Sequence, residues 1–464
     1  MSETESPMAA LTASDSEIAL FGKYDVPVPR YTSYPSVPYW TGLSETSWEH
    51  ELAARVASGV RDTALYVHVP YCRTLCAFCG CTRVVSRDKS AAPSFIEALL
   101  REARRRTDAL PARLRAKELH VGGGTPTWLS ADEMVALFEP LLSLFDRDAD
   151  DFSFSIEVDP RTLTEAHVAA FVRLGVNRVS LGVQDFHEPT MRAIRRIQPR
   201  EMVETAVEWL RAAGITDINF DLVYGLPGQT PESIAATVDH VLAMRPTRIA
   251  NYAYAHVPAL RANQNLVERS GTIPTGIDKH RLAETARARF KRAGYREIGF
   301  DHFALPEDSL WRAFERGALH RNFMGYTDTQ APILLGFGPS SLSDCGTAYA
   351  QNEKEPKAWM EAVREGRPLI TRGHLLSESD RELRSLVLDL MCGLRASVPR
   401  LIFAQPELRA KLASLSSDGL IEVNEVEARV DVTSSGMLFL RNIAAAFDPY
   451  LRSPQASSVT HSRA

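Results

Sequence analysis

No stretch of the 464-residue sequence comes near the roughly 20 consecutive apolar residues that a membrane-spanning helix needs, so no membrane association is expected. Neither sign of charge dominates: 53 Lys and Arg face 58 Asp and Glu, a formal net charge of −5. Nothing in that balance points to nucleic acid or another polyanion as a partner. The first twenty residues, MSETESPMAALTASDSEIAL, lack the basic region and apolar core of a secretory signal, and they carry too little apolar surface to offset ordering entropy, so disorder is expected there. A reducing cytoplasm is the expected compartment. Cysteine is also scarce, six residues in all, yet four of the six fall within the ten residues from Cys72 to Cys81.

That density requires a chemical reason. Cys72, Cys76 and Cys79 are spaced C-x3-C-x2-C, directly after the short apolar run Leu65 to Val69. The thiolates are therefore expected on a loop leaving the end of a buried strand. A structural zinc site takes four tetrahedral ligands, commonly as two separated pairs, but Cys345 and Cys392 are single and distant. A disulfide framework does not suit a long chain without a secretory signal. An iron–sulfur cubane is usually closed by four thiolates; three from one loop leave one iron open to a small molecule. Radical chemistry is work that proteins assign to S-adenosylmethionine (SAM) and such clusters, keeping binding and orientation for themselves. Cys79 and Cys81 would project to the same side of an extended segment, which leaves three roles open for Cys81: a fourth ligand, a redox thiol, or a buried side chain.

From residue 61 onward a unit repeats: a short apolar strand, a polar or Gly/Pro loop, an amphipathic helix. The strands are read at Leu65–Val69, Glu118–Val121, Phe152–Val158, Arg178–Val183, Ile218–Val223 and Arg248–Tyr254. Ser130 with Glu133 forms a capping-box signature, Thr230 precedes Pro231 at a helix start, and Gly214 ends the helix that opens after Pro199. Six alternating units predict a parallel sheet with outer helices, two short of a closed eightfold barrel. The fold class is α/β, a partial (β/α)6 barrel. In such barrels chemistry collects at the C-terminal strand ends. There the sequence places the cysteine loop, Gly122-Gly123-Gly124-Thr125, Glu157 with Asp159, Gln184 with Asp185, Asp221, and Ala255 with His256. Each has an ordinary structural explanation in turns or caps; their shared rim is the binding-site hypothesis.

C-x3-C-x-F-C, formed by Cys72, Cys76, Phe78 and Cys79, resembles the signature of the radical SAM superfamily. Extended by Gly80 and Cys81 and joined by His320-Arg321-Asn322-Phe323-x-Gly325-Tyr326-Thr327, the pattern resembles the oxygen-independent coproporphyrinogen III oxidases of haem biosynthesis. The resemblance spans roughly residues 24 to 451. It implies one [4Fe-4S] cluster on Cys72, Cys76 and Cys79 with an open iron, and two SAM molecules. The first would contact Tyr66, Gly123, Glu157 and Leu342; the second Phe78, Gly124, Thr125, Gln184, Arg196 (with Arg195 as the neighbouring alternative), Asp221 and Ala255. Tyr66, beside the reacting methionine, and Cys81 are the catalytic candidates. The implied reaction turns two propionates of coproporphyrinogen III into vinyl groups: a 5′-deoxyadenosyl radical removes a hydrogen from the propionate β-carbon, then carbon dioxide and one electron leave. The electron would come from a flavodoxin or ferredoxin system, and the enzyme is expected to be a monomer. Related haem chaperones, the alternative reading, usually lack the Gly80-Cys81 extension and the 320–327 stretch.

Three further segments complete the reading. Tyr24 to Trp40 holds four prolines and five aromatic residues, which favours an extended arm over a helix; in the family it would bring Arg30 to a substrate opening. His320 and Arg321 are candidate partners for propionates. The run 333–343, ILLGFGPSSLS, is read as a turn near the rim because it lacks the third glycine and following helix of a dinucleotide site. The expected division is an N-terminal tail and arm over 1–60, the barrel with an accessory segment over 61–372, and a mainly helical, winged-helix-like module over 373–464. Basic residues are not concentrated in that module, so a lid or packing role fits it better than DNA binding.

Overall fold

The computed structural model describes residues 15–452. Six parallel strands lie side by side in chain order: β1 (Asp62–Val69), β2 (Arg115–Gly123), β3 (Ser153–Val158), β4 (Arg178–Gln184), β5 (Asp217–Tyr224) and β6 (Arg248–Ala253). Two short strands, β7 (Arg296–Ile298) and β8 (His302–Ala304), extend the β6 edge antiparallel. Beyond β1 come β9 (Ile333–Phe337), β10 (Leu342–Asp344), β11 (Ala348–Asn352) and β12 (Ile370–Leu375), giving a twelve-stranded sheet open at β12 and β7.

β9 corrects one expectation. Ile333–Phe337 is a strand parallel to β1, with all five residues buried; the turn is confined to the residues after it, where Gly338 has φ +91°. A continuous apolar run between turn signals is the mark of a strand covered on both faces, and the Gly-x-Gly spacing drew attention away from it. The other strands start or end within a few residues of their expected limits.

Helices lie between consecutive strands because their ends are specified. Ser130 accepts from the Glu133 amide at 3.3 Å while the Glu133 carboxylate accepts from the Ser130 amide at 2.7 Å, opening the helix Ala131–Leu142. Thr230 caps Pro231–Met244 in the same way, with Ser233 returning the bond. Under the sheet these helices bury Phe138, Phe154, Phe171 and Phe220 completely, each contributing about 1.5–3 kcal/mol of transfer free energy.

The first described helix meets the C-terminal part of the described chain. Residues 1–14 of the segment expected to be disordered lie outside the described residues, whereas Asp15–Tyr24 is a helix. Its Leu20, Phe21 and Tyr24 pack against the C-terminal core, with the Phe21 ring 4.2 Å from His280 and 5.0 Å from Phe439. The pattern Leu20, Phe21, Tyr24 is an i, i+1, i+4 stripe that finds its partner only in the folded chain. The C-terminal part contains helices Glu378–Gly393 and Pro406–Ser417, a sheet of Arg395–Ser397, Arg429–Val432 and Ile421–Asn424 in that order, and the helix Leu440–Ala445.

Candidate functional site

β1 runs buried to Val69 and releases the chain at Pro70, so the cysteines follow at its C-terminal end. Cys72 and Cys76 are buried, Cys79 is half-buried and Cys81 exposed. All four line one cavity of about 1130 Å³. Of the positions expected to hold SAM, all except Tyr66 and Leu342 line the same cavity, as does Arg30.

Each of the three cysteines in the C-x3-C-x2-C run receives a hydrogen bond at sulfur. The Thr125 hydroxyl donates to Cys72 Sγ at 3.3 Å, the Arg161 and Arg196 guanidiniums to Cys76 Sγ at 3.4 and 3.5 Å, and the Cys81 amide to Cys79 Sγ at 3.4 Å. Donors of this kind stabilise thiolates and tune a cluster bound to them. The Cys81 thiol and then Arg83 hold the Cys79 thiol down to about 6 against its burial, whereas burial pushes the Cys72 thiol up to about 11. Among the described residues, no three His, Cys, Asp or Glu side chains converge on a point that would hold a single metal ion; the sulfurs instead border a space wide enough for a larger group. The donor set and the cavity fit an iron–sulfur cluster.

The loop is clamped from outside by residues that sequence reasoning missed. The Asn263 side-chain amide donates to the carbonyls of Ala77 at 2.8 Å and Cys79 at 3.0 Å, and Gln264 donates to those of Phe78 at 2.8 Å and Ala255 at 3.1 Å. Asn and Gln in a loop after β6 give no warning of such a role, because the contact spans more than 180 residues of chain.

The three glycines that end β2 are small for different reasons. A Cβ on Gly122 would lie 2.8 Å from the Glu157 carboxylate, on Gly123 (φ +111°) 2.6 Å from the His68 ring, and on Gly124 2.7 Å from the Tyr71 carbonyl. The backbone therefore approaches its protein neighbours closely as well as the cavity. The Gly123 amide donates to Glu157 at 3.2 Å, and His120 Nε2 sits 3.3 Å from the same carboxylate. Burial would raise the Glu157 carboxyl, but His120 and the Gly123 amide hold it below the usual range, and in turn Glu157 raises His120.

Tyr66 lies a layer behind the cavity wall. Its hydroxyl is 3.0 Å from His68 Nδ1, while His68 Nε2 is 2.9 Å from the Thr82 carbonyl. A carbonyl only accepts, so Nε2 carries the proton, Nδ1 accepts, and the tyrosine donates. Burial favours this neutral His68. The chain Tyr66–His68–Thr82 ties the barrel interior to the far end of the cysteine loop. The signal was present in the period-2 spacing of residues 66 and 68 on one strand face.

Across the cavity, Asp221 accepts from Ser180 at 2.7 Å and Asn219 at 2.9 Å, and burial pushes its carboxyl up to about 6. Gln184 stands at a register shift between β4 and β5 with φ +67°. Arg196 is buried and donates to Asp159 at 3.0 Å and to the Gly182 carbonyl at 2.7 Å, while Arg195 is exposed. Of the two arginines, the geometry brings Arg196 to the site.

Three expected residues lie elsewhere. Leu342 packs with Trp40 and Tyr349. His320 and Arg321, adjacent on a strand, face opposite ways: His320 borders a separate cleft of about 740 Å³, whereas Arg321 is buried over the Tyr326 ring at 4.4 Å and donates to the Arg30 carbonyl at 3.2 Å. Arg441 Nε donates to the Pro29 carbonyl at 3.1 Å. Together they hold the backbone of the arm, and the Arg30 side chain reaches the Ala253 carbonyl at 3.4 Å.

Comparison with known proteins bears on this geometry. The family described as the radical SAM superfamily matches residues 66–241. The Cereibacter sphaeroides protein named "Coproporphyrinogen III oxidase, anaerobic 1" is 37% identical, over 94% of this chain and 96% of its own length. The Escherichia coli "Oxygen-independent coproporphyrinogen III oxidase" is 39% identical over the same shares. A solved structure titled as coproporphyrinogen III oxidase (HemN) from Escherichia coli, a radical SAM enzyme, is similar with a TM-score of 0.85 at 36% identity, covering 91% of this chain and 98% of that one.

Proposed function

Because this chain belongs to the oxygen-independent coproporphyrinogen III oxidase family of radical SAM enzymes, we propose that its cavity holds one [4Fe-4S] cluster on Cys72, Cys76 and Cys79 and two SAM molecules on the surrounding rim. The protein is an oxidoreductase that converts two propionate side chains of coproporphyrinogen III to vinyl groups without oxygen, giving protoporphyrinogen IX for haem synthesis. Cluster and SAM together supply one-electron chemistry able to take a hydrogen atom from a carbon that carries no acidic proton.

The observation that carries the assignment is the private donor at each of the three sulfurs, from Thr125, Arg161 with Arg196, and the Cys81 amide. The chain's own part is binding and placement. Glu157, oriented by the Gly123 amide, offers a carboxylate to the SAM beside the cluster, and Asp221 and Gln184 offer a carboxylate and an amide to the second. Tyr66 acts by fixing His68 and, through Thr82, the loop. Arg30, laid over the opening by Arg321 and Arg441, meets the substrate's carboxylates. No side chain is needed as acid or base, since the hydrogen, carbon dioxide and electron all leave the substrate without one. Cys81 is left out of the ligand set and acts through its contact with Cys79. No helix among the described residues is long and apolar enough to cross a membrane. We place the protein in the cytoplasm as a monomer that takes electrons from a flavodoxin or ferredoxin system and binds no nucleic acid. We divide it into arm, barrel and C-terminal module over 1–60, 61–372 and 373–464.

The test is anaerobic turnover of reconstituted protein with SAM, a reductant and coproporphyrinogen III, quantifying 5′-deoxyadenosine and protoporphyrinogen IX. Both should appear, at two deoxyadenosines per product. A reconstituted protein that retains haem and forms no vinyl product would overturn the reading in favour of a haem chaperone.

A further inference from the structure

The cavity mouth carries more positive charge than its chemistry uses. Deep inside, each carboxylate has partners: Glu157 the Gly123 amide and His120, Asp159 the Arg161 and Arg196 guanidiniums, Asp221 the Ser180 hydroxyl and Asn219. At the opening the same wall includes Arg261, Lys354 and Arg372. None of these three side chains forms an ion pair or a side-chain hydrogen bond among the described residues. They also come from opposite ends of the sheet: Arg261 from the loop after β6, Lys354 from the turn after β11, and Arg372 from β12. Burial, then Arg372 and Arg261, lower the Lys354 ammonium from its usual range, and Glu353 only partly opposes them. The Glu353 carboxylate accepts from the backbone amides of Lys354 and Glu355 at 2.6 and 3.0 Å.

Three like charges gathered from distant parts of the chain repel one another in the free protein, and an anionic ligand relieves that repulsion. The substrate of the reading above is a macrocycle with four propionates, of which two survive. A propionate that reacts loses its charge, so a cation bound to it would be left unpaired in the product; one that survives keeps its partner through both rounds. We propose that Arg261, Lys354 and Arg372 form a carboxylate-binding rim that anchors the two propionates coproporphyrinogen III retains. This rests on the decarboxylase reading for the identity of the ligand. It adds specificity residues distinct from Arg30, which sits on the β6 side of the opening.

The experiment titrates the reconstituted protein with coproporphyrin III, the stable oxidised form with the same four carboxylates, by fluorescence, alongside its tetramethyl ester. Replacing one cation, as in Arg372→Gln, should weaken coproporphyrin III binding about tenfold, the scale of one charge-assisted pair, with ester binding and SAM affinity unmoved. The triple Arg261→Gln/Lys354→Gln/Arg372→Gln should weaken it by at least about a hundredfold, raise KM in step, and release the monovinyl, three-propionate intermediate. Arg372→Lys should recover most of the affinity. If the triple variant does not fold, the three single variants carry the test. Wild-type affinity in all single variants, or equal losses for acid and ester, would overturn the rim. Wild-type protein that binds coproporphyrin III through these cations yet makes no vinyl product would overturn the decarboxylase reading and leave the rim standing.

Discussion

Arg196 places one guanidinium nitrogen 3.0 Å from the Asp159 carboxylate and 3.5 Å from Cys76 Sγ. The pair is almost wholly enclosed, and it holds a positive charge against a sulfur that is assigned to the cluster. Asp159 is kept below the ordinary carboxylate range by Arg196 and Arg161, which outweigh its burial.

Arg196→Ala should therefore do two things. It should cost about 2–3 kcal/mol of folding stability, less than a fully broken buried pair because Arg161 remains, read by denaturant unfolding of the cluster-free protein. It should also make the reconstituted cluster harder to reduce, read as a more negative midpoint potential. An unchanged potential would place the guanidinium outside the cluster's field.

The three thiolates and Cys81 should separate cleanly. Cys72→Ser, Cys76→Ser and Cys79→Ser should each abolish cluster binding, measured as iron and sulfide per chain after anaerobic reconstitution. Cys81→Ser should keep the full iron content. Loss of iron in Cys81→Ser would make it a ligand.

Asp221 predicts a pH dependence. Its folded-state pKa lies near 6 because of burial, above the unfolded value of about 4. The associated stability is thus present below about pH 4 and is lost as pH rises through 6, up to about 3 kcal/mol. Asp221→Asn should flatten that part of the stability profile. Ligand binding runs the other way, since only the ionised carboxylate can accept from a ligand through both oxygens while keeping its bonds from Ser180 and Asn219. Bound SAM should fall from two per chain toward one as pH drops below 6, and Asp221→Ala should hold it at one while the cluster stays intact.

Gly123→Ala forces a Cβ to within 2.6 Å of the His68 ring at φ +111°. A loss of about 2–4 kcal/mol is expected from strain and overpacking together, with weaker SAM binding because the Gly123 amide turns away from Glu157. Calorimetric unfolding of the cluster-free variant checks the first part and equilibrium dialysis the second.

Asn263→Ala removes two bonds to the cysteine loop, at Ala77 and Cys79. Each such bond contributes about 1 kcal/mol. The cluster should still assemble but be lost several-fold faster to an iron chelator. A chelation rate equal to that of the wild type would show that the loop holds itself.

The barrel was legible because its units repeat a period: alternating strands, capped helices and polar residues at every strand end. The cysteine loop was legible because spacing is local chemistry. What escaped was made by distance. Ile333–Phe337 joins the sheet beside β1, more than 260 residues earlier in the chain, and Asn263 and Gln264 look like any loop amides until the fold sets them on carbonyls of the 76–79 loop. His320 and Arg321 part for a different reason: a motif names neighbours, but a strand turns them to opposite faces, so Arg321 reaches the arm and His320 borders a separate cleft. The helix Asp15–Tyr24 was hidden by composition, since its Leu20, Phe21 and Tyr24 matter only against Phe439 and the C-terminal core.

The contact between the arm and the helix Leu440–Ala445 has a consequence for how the protein is made. The carbonyls of Val28 and Pro29 accept from Arg441, and the Tyr24 carbonyl accepts from Asn442. A ribosome releases the arm more than 400 residues before those two side chains. Until then Arg30 can be held only by Arg321 and the Ala253 carbonyl, while the arm before it, at residues 24, 28 and 29, lacks its anchors. A chain that stops short of residue 441 would carry every cysteine and every described strand and still lack the Arg441 and Asn442 contacts that seat its arm.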